Sequence, residues 1–294
     1  MNVEVLSAEI KNSESHTFTF SKPVREYMVG FSKFVLQYKP PDHHIKKIII
    51  DLTDCKQNCN EVIVKPNLVF DDSSKKSKPG DTSVTLVVVA TVGEGNQSVQ
   101  LHDGLNANFE NNLPSDSATI KSALFTTSVQ FNDSDHHLYK YQSAVIPTLN
   151  GNKYTLSGNV TLQDKHGSSN GIVRGSVIIY NKNDPNILCQ DFDSRTSSCF
   201  GPLFFENVPQ GFNPDNWQLA AFINGYQVSF NQGEDHHVLK IDVSVDLPEN
   251  KLVIKDGKAC VVLKLNAFLT DNGKNQFNTP HNVVTGFVIA FKKA

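Results

Sequence analysis

Three copies of an Asp-His-His tripeptide are the residues of this chain best suited to chemistry. They are Asp42-His43-His44, Asp135-His136-His137 and Asp235-His236-His237, spaced 93 and 100 residues apart. Carboxylates and imidazoles exchange protons, hold turns in place and bind transition metals. The tripeptide is therefore the first candidate for a site.

The two-residue period of an extended strand decides which side chains of one copy can act together. Adjacent His43 and His44 point to opposite faces and cannot share an ion, whereas Asp42 and His44 share a face. A transition-metal site needs three or four ligands. Further ligands would have to come from another strand, where the recurrent candidates are Asp71 or Asp72, Asp164 and Asp271.

A structural role for each copy is the simpler interpretation. In it the aspartate accepts backbone N–H groups of a turn, and each histidine caps a strand face while bonding a loop carbonyl. The sequence therefore predicts no metal and no other cofactor. The residues predicted to form either a structural turn or a recognition site are Asp42, His44, Asp135, His137, Asp235, His237 and the single tryptophan, Trp217.

Strand-like sequence flanks every copy. After the third copy, one face carries His237, Leu239, Ile241, Val243, Val245 and Leu247, and the intervening residues are mostly polar. Such alternation predicts a strand with one buried face. An aromatic-bearing strand and a short polar loop precede each copy, so each tripeptide is expected to follow a hairpin turn.

The order of these elements recurs along the chain. Each third contains the tripeptide, a strand that ends in aspartate, a polar loop and an apolar closing strand, the last at 84–92, 172–180 and 283–291. Closely spaced strands broken by Pro, Gly, Asn and Asp are typical of β-sandwiches. We predict an all-β chain of three tandem antiparallel β-sandwich modules, a divergent internal repeat, spanning 1–93, 94–183 and 184–294.

Composition narrows the classes of function. The chain has 294 residues, a formal net charge of −3 and scattered basic residues, whereas a nucleic-acid binder carries a basic face. No apolar run is long enough to span a membrane, and residues 1–6 lack the features of a secretory signal. These features favour synthesis in the cytoplasm, with release or incorporation into an assembly left open.

Five cysteines leave at least one without a partner inside the chain. Cys55 with Cys59, and Cys189 with Cys199, are spaced so that either pair can close a disulfide in an oxidising compartment. Reduced structural thiols are the alternative. Cys260 lies in an apolar strand and is expected to be a small core residue.

The sequence contains none of the common catalytic motifs. It lacks a Gly-x-Ser-x-Gly elbow, a phosphate-binding loop, a dinucleotide fingerprint and a His-Glu-x-x-His helix. Asp191 and Asp193 are the best candidates for an acid and base pair, although loop carboxylates are more often solvated. The aromatic connector around Trp217 suits either a sugar-stacking platform or internal packing, and packing is the commoner role.

These observations together predict a protein that is not an enzyme. The expected function is multi-module recognition or adhesion, in the manner of a lectin, with a glycan or a protein surface as partner, because the end loops of β-sandwiches commonly carry recognition. The alternative is a structural subunit of a self-assembling particle, such as a tail, shell, filament or inclusion, formed by homo-oligomerisation. A hydrolase is a third and weaker alternative.

Overall fold

The computed structural model is built almost entirely of β-strands, which confirms the predicted all-β class. It describes residues 1–73, 81–94, 98–196, 199–230, 236–273, 276–277 and 281–294. Within these residues the only helix is a single 3₁₀ turn at Pro214–Asn216, so no helix is long and apolar enough to cross a membrane.

Twenty-one strands follow one another within the described parts of the chain. The first third contains β1 (Val3–Lys11), β2 (His16–Thr19), β3 (Val24–Gln37), β4 (Lys47–Asn58), β5 (Glu61–Asp71) and β6 (Ser83–Val92). The second contains β7 (Val99–Asn106), β8 (Glu110–Asn112), β9 (Ala118–Gln130), β10 (Lys140–Asn150), β11 (Lys153–Gln163), β12 (Ser168–Asn170) and β13 (Ile172–Asn181). The last contains β14 (Ile187–Asp193), β15 (Phe200–Phe204), β16 (Trp217–Ser229), β17 (Lys240–Asp246), β18 (Val253–Lys255), β19 (Lys258–Thr270), β20 (Gln276–Phe277) and β21 (Val283–Lys292).

The strands form three antiparallel sheets, and each sheet combines strands from two of the three segments of the chain. The first has the order β1-β6-β3-β17-β19-β15, the second β12-β11-β10-β16-β21-β14 and the third β2-β5-β4-β9-β13-β7. Each third contributes strands to two sheets. The group of strands that contains the closing strand packs face to face on the group that follows the Asp-His-His tripeptide. Each third is thus sandwich-like, but its two layers continue into the other thirds.

Three equivalent seams join the thirds. The pairs β3 with β17, β9 with β4, and β16 with β10 each align five residue pairs. Immediately before its seam, each of β3, β9 and β16 has a register shift in its pairing with the closing strand of the same third. The shifts lie at Ser32, Phe125 and Asn224 respectively. Because a β-bulge bends and twists a strand, these positions turn β3, β9 and β16 toward their seams.

The tripeptides do not follow hairpin turns, so that prediction was wrong. The strands on either side of each tripeptide do not pair with each other: β3 and β4, β9 and β10, and β16 and β17 lie in different sheets. Aromatic strands and polar loops are common to hairpins and crossovers, and the sequence pattern does not separate the two. The second histidine of each tripeptide instead lies in a crossover between sheets, three residues before the next strand begins.

The core has two parts. The larger part fills the space between the layers of each third, with Phe34, Tyr141 and Phe230 among its fully buried side chains. A smaller cluster contains apolar residues from β3, β9 and β16 and their neighbours, including Met28, Ala123 and Phe222. These three strands contact one another, so the smaller cluster joins all three thirds in a common interior.

Candidate functional site

The three crossovers that carry the tripeptides meet one another through backbone hydrogen bonds. His43 exchanges two bonds with Val238, Ile45 exchanges two with His136, and Leu138 exchanges two with His236, all with N···O distances between 2.8 and 3.1 Å. Each crossover therefore pairs with both others, which closes a ring of backbone. The three crossovers that carry the tripeptides therefore form a single site.

The second histidine of each copy points into the centre of this ring. The imidazole centroids of His44, His137 and His237 lie 4.4 to 4.7 Å apart in every pairing. Each residue offers one ligand atom, and these atoms all lie within 4.8 Å of one another. We call His44, His137 and His237 the histidine ring. Within the described residues it is the one group of three or more metal-ligating side chains found together.

Aspartates of neighbouring copies approach the ring from outside. Asp135 Oδ2 lies 3.7 Å from Nδ1 of His44, and Asp42 Oδ1 lies 3.7 Å from Nδ1 of His237. Asp42 is itself held in place, since its Oδ2 accepts a hydrogen bond from the backbone N–H of Asn272. Asp235, the third predicted aspartate, lies outside the described residues.

Electrostatics favour the neutral form of His44. The pKa of His44 is lowered, first by partial burial and then by the repulsion it would feel from His237 and His137 if it were charged. Asp135 opposes this lowering of the pKa but does not outweigh it. A neutral imidazole has a free lone pair, which is the state that binds metal ions.

The first histidine of each copy has a different role. Nδ1 of His43 lies 2.7 Å from Asp72, and Nδ1 of His136 lies 2.6 Å from Asp164; both carboxylates are buried. The rings of His43, His136 and His236 also pack on Tyr38, Phe131 and Phe230 at centroid distances between 4.5 and 4.9 Å. These histidines thus anchor the crossovers, through buried carboxylates and aromatic rings.

Trp217, the other predicted recognition residue, is only 6% exposed. It begins β16 and its ring packs on Phe212 at a centroid distance of 5.6 Å. Its indole face is therefore occupied by packing and is not available as an exposed stacking platform.

Neither a family model nor any curated protein sequence matches this chain. The site must therefore be interpreted from its own geometry.

A second feature is a cleft of about 710 Å³ beside the seam between β10 and β16. Its walls come from six strands, β9, β10, β11, β14, β16 and β21, and include the amide side chains of Gln142, Asn159, Asn224 and Gln227. The exposed side chain of Ile146, together with Pro147, adds an apolar rim. We call this feature the seam cleft.

The seam cleft also contains the two carboxylates that were candidates for an acid and base pair. Both oxygens of Asp191 accept hydrogen bonds from Nζ of Lys121 at 2.6 and 2.7 Å. Asp193 accepts bonds from the guanidinium of Arg195, which lowers the pKa of the Asp193 carboxyl. A general acid for glycoside hydrolysis needs a raised pKa, so Asp193 is poorly suited to that role.

All five cysteines are free thiols in the structure. Cys59 and Cys199 are exposed, Cys55 and Cys189 are half-buried, and Cys260 is buried in β19. The placement of Cys260 agrees with its expected position in an apolar strand.

Sequence reasoning located the histidines but missed the histidine ring. It considered each tripeptide alone, where the two histidines of one copy cannot share an ion. The available signal was the recurrence of the motif at similar positions in three successive segments, which permits equivalent loops to meet at a common axis. The seam cleft had no such signal, because its residues come from six strands spread along the sequence.

Proposed function

We propose that this protein is a non-catalytic recognition protein that binds a glycan in the seam cleft. The supporting observation is the concentration of amides and charge-paired side chains in one open depression on a rigid set of strands. Amides present both donors and acceptors, and the paired charges of Lys121 and Asp191 do the same. A polyhydroxylated ligand needs this mixture of donors and acceptors, together with an apolar rim for its C–H faces.

The charge pairing also favours binding over catalysis. A glycosidase uses two carboxyl groups with separated pKa values, one of them protonated near neutral pH. In the seam cleft, Nζ of Lys121 lies 2.6 Å from Asp191, and Arg195 stabilises the ionised form of Asp193. Ionised carboxylates are good acceptors for sugar hydroxyl groups and poor general acids.

A glycan array probed with the full-length chain tests this proposal. We expect at least one class of glycan to bind, and calorimetry on the bound sugar should show roughly tenfold or greater loss of affinity for Gln142→Ala and Asp191→Asn. Asp54→Asn is the matched control for the second change. Asp54 is an exposed carboxylate that pairs with Lys56, and both residues lie on β4, in a different sheet from Asp191. Asp54→Asn should bind as the unchanged protein does.

Absence of any glycan ligand, combined with turnover of chromogenic glycosides, would reject this proposal in favour of a hydrolase. Equal loss of affinity in Asp191→Asn and Asp54→Asn would place the ligand elsewhere on the surface. A bound protein partner in place of a glycan would retain the recognition role and change only the class of ligand.

Self-association into a larger assembly is the second candidate function. The observation that favours it is Phe200, which is 67% exposed on β15 at the edge of a sheet, where unpaired backbone groups can add another strand. Light scattering over a concentration series should then show growing particles that Phe200→Ser suppresses. A strict monomer at every concentration would remove this candidate.

A further inference from the structure

We propose that the histidine ring binds one divalent transition-metal ion of the zinc class through one imidazole nitrogen from each of His44, His137 and His237. The inference does not depend on the seam cleft or on the proposed glycan ligand. It rests on the position and the surroundings of three side chains that the backbone ring brings together.

The spacing of the ring is close to that of a metal site. Nitrogen atoms bound tetrahedrally to one zinc ion, at bond lengths of about 2.0–2.1 Å, are roughly 3.3–3.4 Å apart. The ligand atoms of the ring lie within 4.8 Å of one another. Each imidazole must therefore move inward by less than about 1 Å, which a small side-chain rotation provides. The backbone bonds that join the crossovers need not break.

The donor set identifies the class of ion. Three imidazoles suit zinc, copper, nickel and related ions, whereas magnesium and calcium prefer oxygen ligands.

The outer aspartates resemble the second layer of groups that orients metal-binding histidines. A ligating imidazole usually donates its other N–H to a carboxylate, which fixes the tautomer and raises the basicity of the ligand. Asp135 and Asp42 lie 3.7 Å from Nδ1 of His44 and His237, which leaves Nε2 of both rings for the ion. The carboxylates also offset the positive charge of a bound cation.

A set of three histidines leaves one position of a tetrahedral ion open. Structural zinc sites are closed by four protein ligands, whereas sites with three protein ligands keep water or another exogenous group in the fourth position. The side chains of His44 and His237 are 39% and 42% exposed, so solvent reaches the ring. The bound ion would therefore carry an exchangeable water.

Calorimetric titration of the chelator-treated, full-length protein with Zn²⁺ tests the proposal. We expect one saturable equivalent per chain, lost in His137→Gln, and an affinity 10 to 100 times weaker in Asp135→Asn. His166→Gln is the matched control, because His166 is exposed and lies outside the ring. It should retain the full equivalent.

Two results would overturn the proposal. One is the absence of saturable binding to the unchanged protein. The other is an unchanged equivalent in His137→Gln, which would place the ion elsewhere. Circular dichroism checks that each variant is folded, and if His137→Gln does not fold, His237→Gln and Asp135→Asn provide the same comparison.

Discussion

At the scale of single residues, neighbouring histidines in the same tripeptide have different environments. His43 is held by the buried carboxylate of Asp72, while His44 faces two other imidazoles. Strand alternation in the sequence correctly separated the two histidines of each copy onto different faces. It could not identify what each face meets, because Asp72, His137 and His237 all lie in other parts of the sequence.

The histidine ring makes the stability of the metal-free protein depend on pH. The pKa of His44 is lowered in the folded state by burial and by His237 and His137, so the unfolded chain takes up the proton first on acidification. The free energy of unfolding should therefore fall as pH drops below about 6.5, the pKa of an unperturbed histidine, and level off below the folded-state pKa.

Urea denaturation at pH 7.5, 6.5 and 5.5 in the presence of chelator measures this dependence. The slope of stability against pH should be smaller in His44→Gln than in the unchanged protein, because Gln does not titrate. His166→Gln should keep a slope close to the original. An equal slope in the unchanged protein and in His44→Gln would show that the ring does not resist protonation.

At the scale of strands, the sequence predicted local structure better than it predicted pairing. The sequence Asn150-Gly151-Asn152 is typical of a tight turn, and it joins the hairpin of β10 and β11, which pair from Asn150 opposite Lys153 onward. Alternation in the third copy correctly placed Ile241 and Val243 on a buried face of β17. The prediction of a single buried face was wrong, because Asp242 and Ser244 on the opposite face are buried as well. The three seams were not predictable, because any exposed edge strand with the right alternation could have joined any other.

Gly286 on β21 is a position where strand pairing excludes a side chain. A Cβ atom there would lie 1.9 Å from the backbone carbonyl oxygen of Phe222 on β16 and 2.6 Å from the ring of Phe192. Gly286→Ala should therefore force the strands apart and lower the free energy of unfolding by roughly 2–4 kcal/mol.

Gly167→Ala is the control for this change, because its Cβ would meet nothing closer than 3.9 Å. Urea denaturation should find it within about 1 kcal/mol of the unchanged protein. If the two variants have the same stability, the close packing of β21 against β16 is not present in solution.

At the scale of the whole molecule, the sheets do not follow the predicted module boundaries. The division at 1–93, 94–183 and 184–294 describes stretches of chain, and its status as a true repeat stays a prediction. Every sheet crosses from one stretch to another, and β3, β9 and β16 contact one another in the smaller core cluster. A sequence pattern describes each stretch alone. It could not show that the edge strands of one stretch pair with strands of another stretch.

Because every sheet contains strands from two stretches, we predict a single cooperative unfolding transition for the full chain. Fluorescence of Trp217, which reports on β16, should follow the same denaturation curve as circular dichroism, which reports on all three sheets. The isolated segment 1–93 should not form a stable monomer, since both β3 and β4 would lose their seam partners. Separate transitions for the two probes, or a stably folded 1–93 monomer, would indicate independent modules.

The convergence of three distant tripeptides into one metal-binding ring is the central claim about the whole molecule. Zinc-edge X-ray absorption of the full-length protein loaded with one equivalent of Zn²⁺ tests it most directly, because the five free thiols are the natural competing ligands. We predict three imidazole nitrogens at about 2.0–2.1 Å and one further light atom, with no sulfur. A shell of sulfur at about 2.3 Å, or a spectrum unchanged by His137→Gln, would contradict the claim.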